Sequence, residues 1–364
     1  MYQEFRGVRI MAYSNIKDPS AYFQAKLYTG NNTANHAITN DGNSNLQPDL
    51  VLMKHRTGNH SYYLVDSSRG RDKGLATDST NAETTSSSST KDFQSFDTNG
   101  FTVGEVETTD SINAGGGSTI VAWQWKANGG TTVSNTDGSI TSTVQANTDA
   151  GFSIFTYTGT GAAGTVGHGL GGLPDLIIYK GRNTTSNWPV YIDPQKDGTL
   201  QFPKLNGDDA NIGNSPFTWD TTKFTFTSAS SYSNTSGTNY IAYAFRSIQG
   251  YSKIGSYVGN ASTDGTFVYT GFKPACIITK TTGAAEGWGI YDNKRAGFNV
   301  HNDVLSLNSN GATYGGSTYT FMDILSSGFK CRRATYGPNQ ATSYIYMAFA
   351  ENPFVAGGIP TTAR

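Results

Sequence analysis

The sequence predicts an all-β protein built from tandem β-sandwich modules of the jelly-roll kind. Three observations predict it. The composition favours strands and turns over helices: aromatics make up 12%, Gly contributes 43 residues and charged residues only 15%. Apolar and polar residues alternate with period two in stretches such as Lys223–Thr227 and Ile120–Trp125. One set of sequence blocks also occurs three times in unchanged order, the signature of an internal repeat.

The blocks follow in chain order. Each module opens on a strand: FQAKLYTG (23–30), FSIFTYTG (152–159) and KIGSYVGN (253–260). A proline then leads an apolar run ending at lysine six residues on: Pro48 to Lys54, Pro174 to Lys180, Pro274 to Lys280. Aromatic residues next lead into an aspartate, at Asp66, Asp193 and Asp292. The third block reads SFDTNGFTVG (95–104), TWDTTKFTFT (218–227) and DILSSGFKCRR (323–333). The fourth reads TIVAWQWKA (119–127), NYIAYAFRS (239–247) and SYIYMAFAE (343–351).

This organisation predicts an N-terminal docking arm over 1–20, module A over 21–130, a linker over 131–149, module B over 150–250, and module C with a C-terminal tail over 251–364. About a hundred residues suffice for a module to hold its own core. The Ser/Thr-rich stretch 72–92 reads as a mobile surface loop. Specificity is expected where the modules differ, at 72–92, 159–172, 204–214 and 308–318.

The net charge of −1 offers no electrostatic footprint for nucleic acid. No apolar run approaches a membrane span, so no membrane insertion is expected. The start MYQEFRGVRIMAYS lacks the apolar core of a classical secretory signal. The G-x-G-x-x-G at Gly159, Gly161 and Gly164 follows a strand but runs on into another strand, which reads as a hairpin loop and not a dinucleotide site.

His36, His55, His60, His168 and His301 show no zinc-ligand spacing, and no metal or cofactor is expected. No nucleophile constellation or carboxylate pair emerges, so the chain is read as a non-enzyme. The recurring aspartates read as turn-stabilising. Cys276 and Cys331 fall at core positions and read as buried small hydrophobes, with a disulfide between them left open. Three residues are candidate ligand or glycan contacts: Trp188 and Trp288, at matching positions, and His168 in the Gly-rich loop. Core packing is the competing reading for the tryptophans.

The ordered blocks resemble an uncharacterised repeat domain common in virion proteins of marine tailed phages, especially cyanophages. The pieces carrying the resemblance are MAYSNIKDPSAYFQAKLYTGN (11–31), LVDSSRG (64–70), FDTNGFTVG (96–104), TIVAWQWKANGG (119–130) and TVGHGLGGLPDLIIYK (165–180). The resemblance implies a concanavalin-like β-sandwich and a role at the virion surface, in a tail fibre or as capsid decoration. Implied partners are other virion proteins and a host-surface glycan, and a homo-oligomer, with a trimer favoured. A lectin-like carbohydrate-binding module is the alternative, with a polysaccharide-degrading enzyme behind it. Residues 1–10 precede the Met11 at which similar sequences begin, and are expected to dock on a partner subunit.

Overall fold

The computed structural model describes residues 14–107, 112–193, 197–210, 217–227, 232–297, 299–316, 318–353, 355–356 and 359–360. The chain is all-β, with antiparallel sheets stacked as sandwiches, and no α-helix occurs among the described residues.

Each module contributes one inner and one outer sheet. In module A the inner sheet runs Phe23–Thr29, Thr119–Trp125, Leu50–His55, Tyr63–Asp66 in spatial order. Module B repeats that order with Phe152–Thr158, Asn239–Phe245, Leu176–Gly181 and Val190–Ile192. Module C repeats it with Ser252–Val258, Ser343–Pro353, Phe272–Thr281 and Gly289–Asp292, then adds Asp303–Ser306 and Tyr314–Gly315. The outer sheets have three strands each, such as His36–Thr39, Gly100–Val103 and Phe93–Asp97 in module A.

The inner sheets are buried on both faces. Val51, Met53, Tyr63 and Val65 meet Phe93 and Phe101 of the outer sheet inside module A. Leu50, Leu52 and Leu64, one residue out of phase, point the other way into a core shared with Leu176 and Val190 of module B and Ile278 and Ile290 of module C. A strand covered on both sides has no face for polar residues, hence the unbroken runs Leu50–Met53 and Leu176–Tyr179. Where the three modules meet, the equivalent residues Trp125, Phe245 and Phe349 touch pairwise, with ring centroids 6.4, 5.5 and 5.9 Å apart.

The modules are therefore not a string of separate sandwiches. They close into a ring around one core, with equivalent positions facing each other at the three junctions. Tyr243 of module B donates to Asp66 of module A at 2.7 Å. Trp123 of module A donates through Nε1 to Asp292 of module C at 3.2 Å. Between C and B the matching residues are Met347 and Ile192, both in the shared core. Strand register puts Ile192, not Asp193, at the position of Asp66 and Asp292. The aspartate repeat is thus out of register by one residue in module B, and an apolar pair replaces the polar one. Asp66 and Asp292 also accept from backbone N–H groups two and three residues on, as Asx turns do.

Two segments differ from their expected roles. Residues 133–147, expected as linker, form strands Val133–Asn135 and Ser142–Asn147 that extend the module B sheet beyond Phe152–Thr158. Polar residues serve there because Gln145 is buried between modules, bonded to Ser67, Ser68 and the amides of Asn128 and Gly130. The 72–92 stretch is a strut and not a free loop. Its Ala76 and Ser79 carbonyls accept from Trp188 Nε1 at 3.0 and 3.1 Å. Its Glu83 pairs with Arg69 of its own module and Arg182 of module B. In the docking arm, residues 1–13 lie outside the described residues. Ile16 is buried in the chain's own shared core and Ser14 donates to the Gln249 carbonyl.

The three block-ending lysines are not solvated strand ends. Each is buried, with its ammonium among carbonyls from its own module and the next strut: Lys54 on Asn310 (3.1 Å), Lys180 on Thr80 (2.9 Å), Lys280 on Asp208 (3.3 Å). Burial pushes all three down to about 8. The unfolded chain, with lysine near ~10.4, binds more protons between these values, so stability rises with pH in that window. Buried tyrosines such as Tyr344, pushed up to about 12, act oppositely once unfolded tyrosines ionise near ~10. Urea midpoints should therefore climb from pH 7.5 to 9.5 and fall above it. A flat or falling profile below pH 9.5 would mean the carbonyl cages fully offset desolvation.

Candidate functional site

The residues expected to touch a ligand lie inside the protein. Trp188 and Trp288 are buried in the shared core, and Trp288 Nε1 donates to the Lys204 carbonyl of module B at 2.8 Å. Each indole anchors the strut of the preceding module, so neither offers a face to a sugar. His168 is buried as well. Its Nδ1 accepts from the Leu170 amide and its Nε2 faces the Asp220 carbonyl at 3.1 Å, which places the proton on Nε2. Burial lowers its pKa, so it is a neutral structural imidazole. It directly follows outer strand Gly164–Gly167, which lies within the Gly-rich segment. Cys276 and Cys331 are free and buried in different cores, on opposite sides of the module C inner sheet.

The site the structure does present is a groove of about 410 Å³ in module C. Its floor is the face of the inner sheet turned toward the outer sheet. Register explains why it is open. Met53 and Tyr63 are cross-strand partners in module A and fill that module's core. In module B the same places hold Tyr179, also in a core, and Pro189. In module C they hold Thr279 and Gly289, again cross-strand partners. Two large side chains are thus replaced by the small Thr279 and by Gly289; the Tyr291 ring leans over Gly289, its hydroxyl 2.9 Å from where a Cβ would stand, and the rest of the space opens as the groove.

The walls come from two sources. Tyr336 and Gly337 stand on one side, with Glu286 beside them. The Glu286 carboxylate accepts from the Gly337 amide and from Gln340 Nε2, and burial pushes its pKa up. On the other side stands the module C strut, from Ser309 to Tyr314. Module A holds that strut in place: the Arg56 carbonyl accepts from the Thr313 amide at 2.8 Å, and Lys54 holds the Asn310 carbonyl. The groove therefore exists because the ring closes.

Its rim carries exposed aromatic rings. Tyr314 is 46% exposed and Tyr336 40%, and their hydroxyls hydrogen-bond at 2.8 Å. The Arg333 guanidinium lies 3.7 Å from the Tyr336 ring centroid and 4.8 Å from that of Tyr319, which fixes Tyr336 by stacking. Of the four stretches expected to carry specificity, 308–318 lines this groove, and residue 317 lies outside the described residues. Among the rest, 72–92 is structural, while 211–214 lie outside the described residues. Thr279 and Gly289 were not singled out in the sequence, although aligning the blocks residue by residue shows the large-to-small change.

A family model described as "Domain of unknown function (DUF7483)" matches residues 18–353. The single match runs through all three modules. No curated protein matches the chain.

Proposed function

We propose that this chain, which belongs to the DUF7483 family, is a structural component of a tailed-phage virion that acts by recognition and not by catalysis. It sits at the particle surface, in a tail fibre or as capsid decoration, assembles with other virion subunits as a homo-oligomer, favourably a trimer, and turns module C toward the host. The observation that carries the recognition half is the groove hollowed out in one module of three. At the positions compared, Met53, Tyr63 and Tyr179 pack into the cores of modules A and B, while module C gives up that volume for an aromatic-rimmed cleft. Such a loss costs stability and makes sense where a ligand enters. The virion half is supported by the resemblance of the sequence blocks.

Immunogold labelling of purified particles tests the location. Label at one defined structure, tail or head, is the expected result. Particles without label, with the antigen found in the lysate instead, would overturn it.

A further inference from the structure

We propose that the module C groove binds a neutral pyranose residue, one face stacked on the Tyr336 ring at the rim and its hydroxyls donating to Glu286. This deepens the recognition reading above and rests on it for the biological setting, though not for the chemistry.

The volume, about 410 Å³, falls at the small-ligand end of binding clefts. A pyranose presents an apolar C–H face and a belt of hydroxyls, and the groove offers the complement of both. The exposed Tyr336 ring supplies flat apolar surface at the mouth, and Tyr314, tilted 50° to it, flanks that surface. Each oxygen of Glu286 accepts one protein hydrogen bond, from Gly337 or Gln340, and a carboxylate oxygen has room for a second. Two adjacent acceptors, one on each oxygen, suit a pair of neighbouring sugar hydroxyls. Thr279 lies on the floor beneath.

Other ligand classes fit less well. An anionic sugar would bring its charge against the Glu286 carboxylate. A wholly apolar ligand would strip water from the charged Glu286 carboxylate and offer it no donor in return. An extended peptide adds to a free strand edge, but the floor strands Phe272–Thr281 and Gly289–Asp292 are each paired on both sides.

The modules supply the test variants. Thr279→Met restores the residue of module A and refills the floor. Tyr336→Ala removes the stacking surface far from the shared core. Saturation-transfer NMR on the full chain would use millimolar methyl glycosides of glucose, galactose, mannose and N-acetylglucosamine, with glucuronic and sialic acids as anionic counterparts. At least one neutral glycoside should bind, and each variant should weaken it by roughly tenfold, the scale of one lost aromatic contact. Unchanged melting temperatures would show that both variants fold.

No binding of any neutral glycoside, binding of the acids alone, or binding indifferent to both substitutions would overturn the proposal. Particles that carry the protein while it binds no neutral sugar would sink this inference alone. Sugar binding by a protein absent from particles would sink the virion reading alone.

Discussion

Asp292→Ala should destabilise the protein by about 3–5 kcal/mol, the range for stranding one partner of a buried ion pair. Asp292 is fully buried and accepts from Arg295 Nε at 2.6 Å, Trp123 Nε1 at 3.2 Å and two backbone amides. Burial alone would push its pKa up, but the Arg295 guanidinium beside it holds the carboxyl below the usual range. A depressed carboxylate contributes stability that is present above the unfolded value near ~3.9 and is lost as pH falls through the folded one.

Alanine strands the Arg295 guanidinium, which has 1% of its side chain exposed, and orphans the Trp123 indole at the junction of modules A and C. Denaturant unfolding of the variant measures the loss. The protein itself suggests the repair. At the B–C junction the same positions are Ile192 and Met347, so Asp292→Ile with Trp123→Met and Arg295→Met should recover most of it, as apolar replacements of buried pairs often do. A loss under about 1 kcal/mol for Asp292→Ala would mean the junction is not held by this pair.

Module C excised as residues 251–353 should not fold. Its inner sheet turns Ile254, Cys276, Ile278, Trp288, Ile290 and Met347 into the shared core. Exposing each large side chain costs roughly 1.5–3 kcal/mol, and the loss over the six, about 9–18 kcal/mol, is as large as the ~5–15 kcal/mol by which whole domains are stable. The sandwich core behind the sheet, around Tyr257, Phe329 and Tyr344, does not compensate for such a face in water. The intact chain should unfold in one cooperative transition, and the fragment should show none, with dye binding to exposed apolar surface. Cooperative melting of the fragment would show that the ring is an assembly of independent domains. The expectation that a hundred-residue module holds its own core is met for one face of each inner sheet and fails for the other.

The same reasoning explains what could be read early. Period-two alternation in Lys223–Phe226 and the unbroken run Leu176–Ile178 both specify strands, because backbone pleating puts successive side chains on opposite faces. The burial of Cys276 and Cys331 followed from the apolar residues they replace. The aspartates read correctly as turn formers at Asp66 and Asp292, and wrongly as equivalent at Asp193, since a one-residue register difference is invisible when a similar residue stands next door.

The sequence by itself determined that this is an all-β chain with repeated blocks. Those properties follow from local periodicity and composition, which each segment carries alone. Tertiary structure decided the rest. Whether Trp188 faces solvent or a neighbour's carbonyl depends on where another module's strut lies, 109 and 112 residues away along the chain. Residues 133–147 carry no strong apolar signal, and only the edge of Phe152–Thr158 makes strands of them. The groove, too, needs both the small residues Thr279 and Gly289 and a wall held by Lys54 and Arg56 from the opposite end of the chain. A surface built from segments brought together by ring closure has no local signature, because the free energy that creates it belongs to the closed ring.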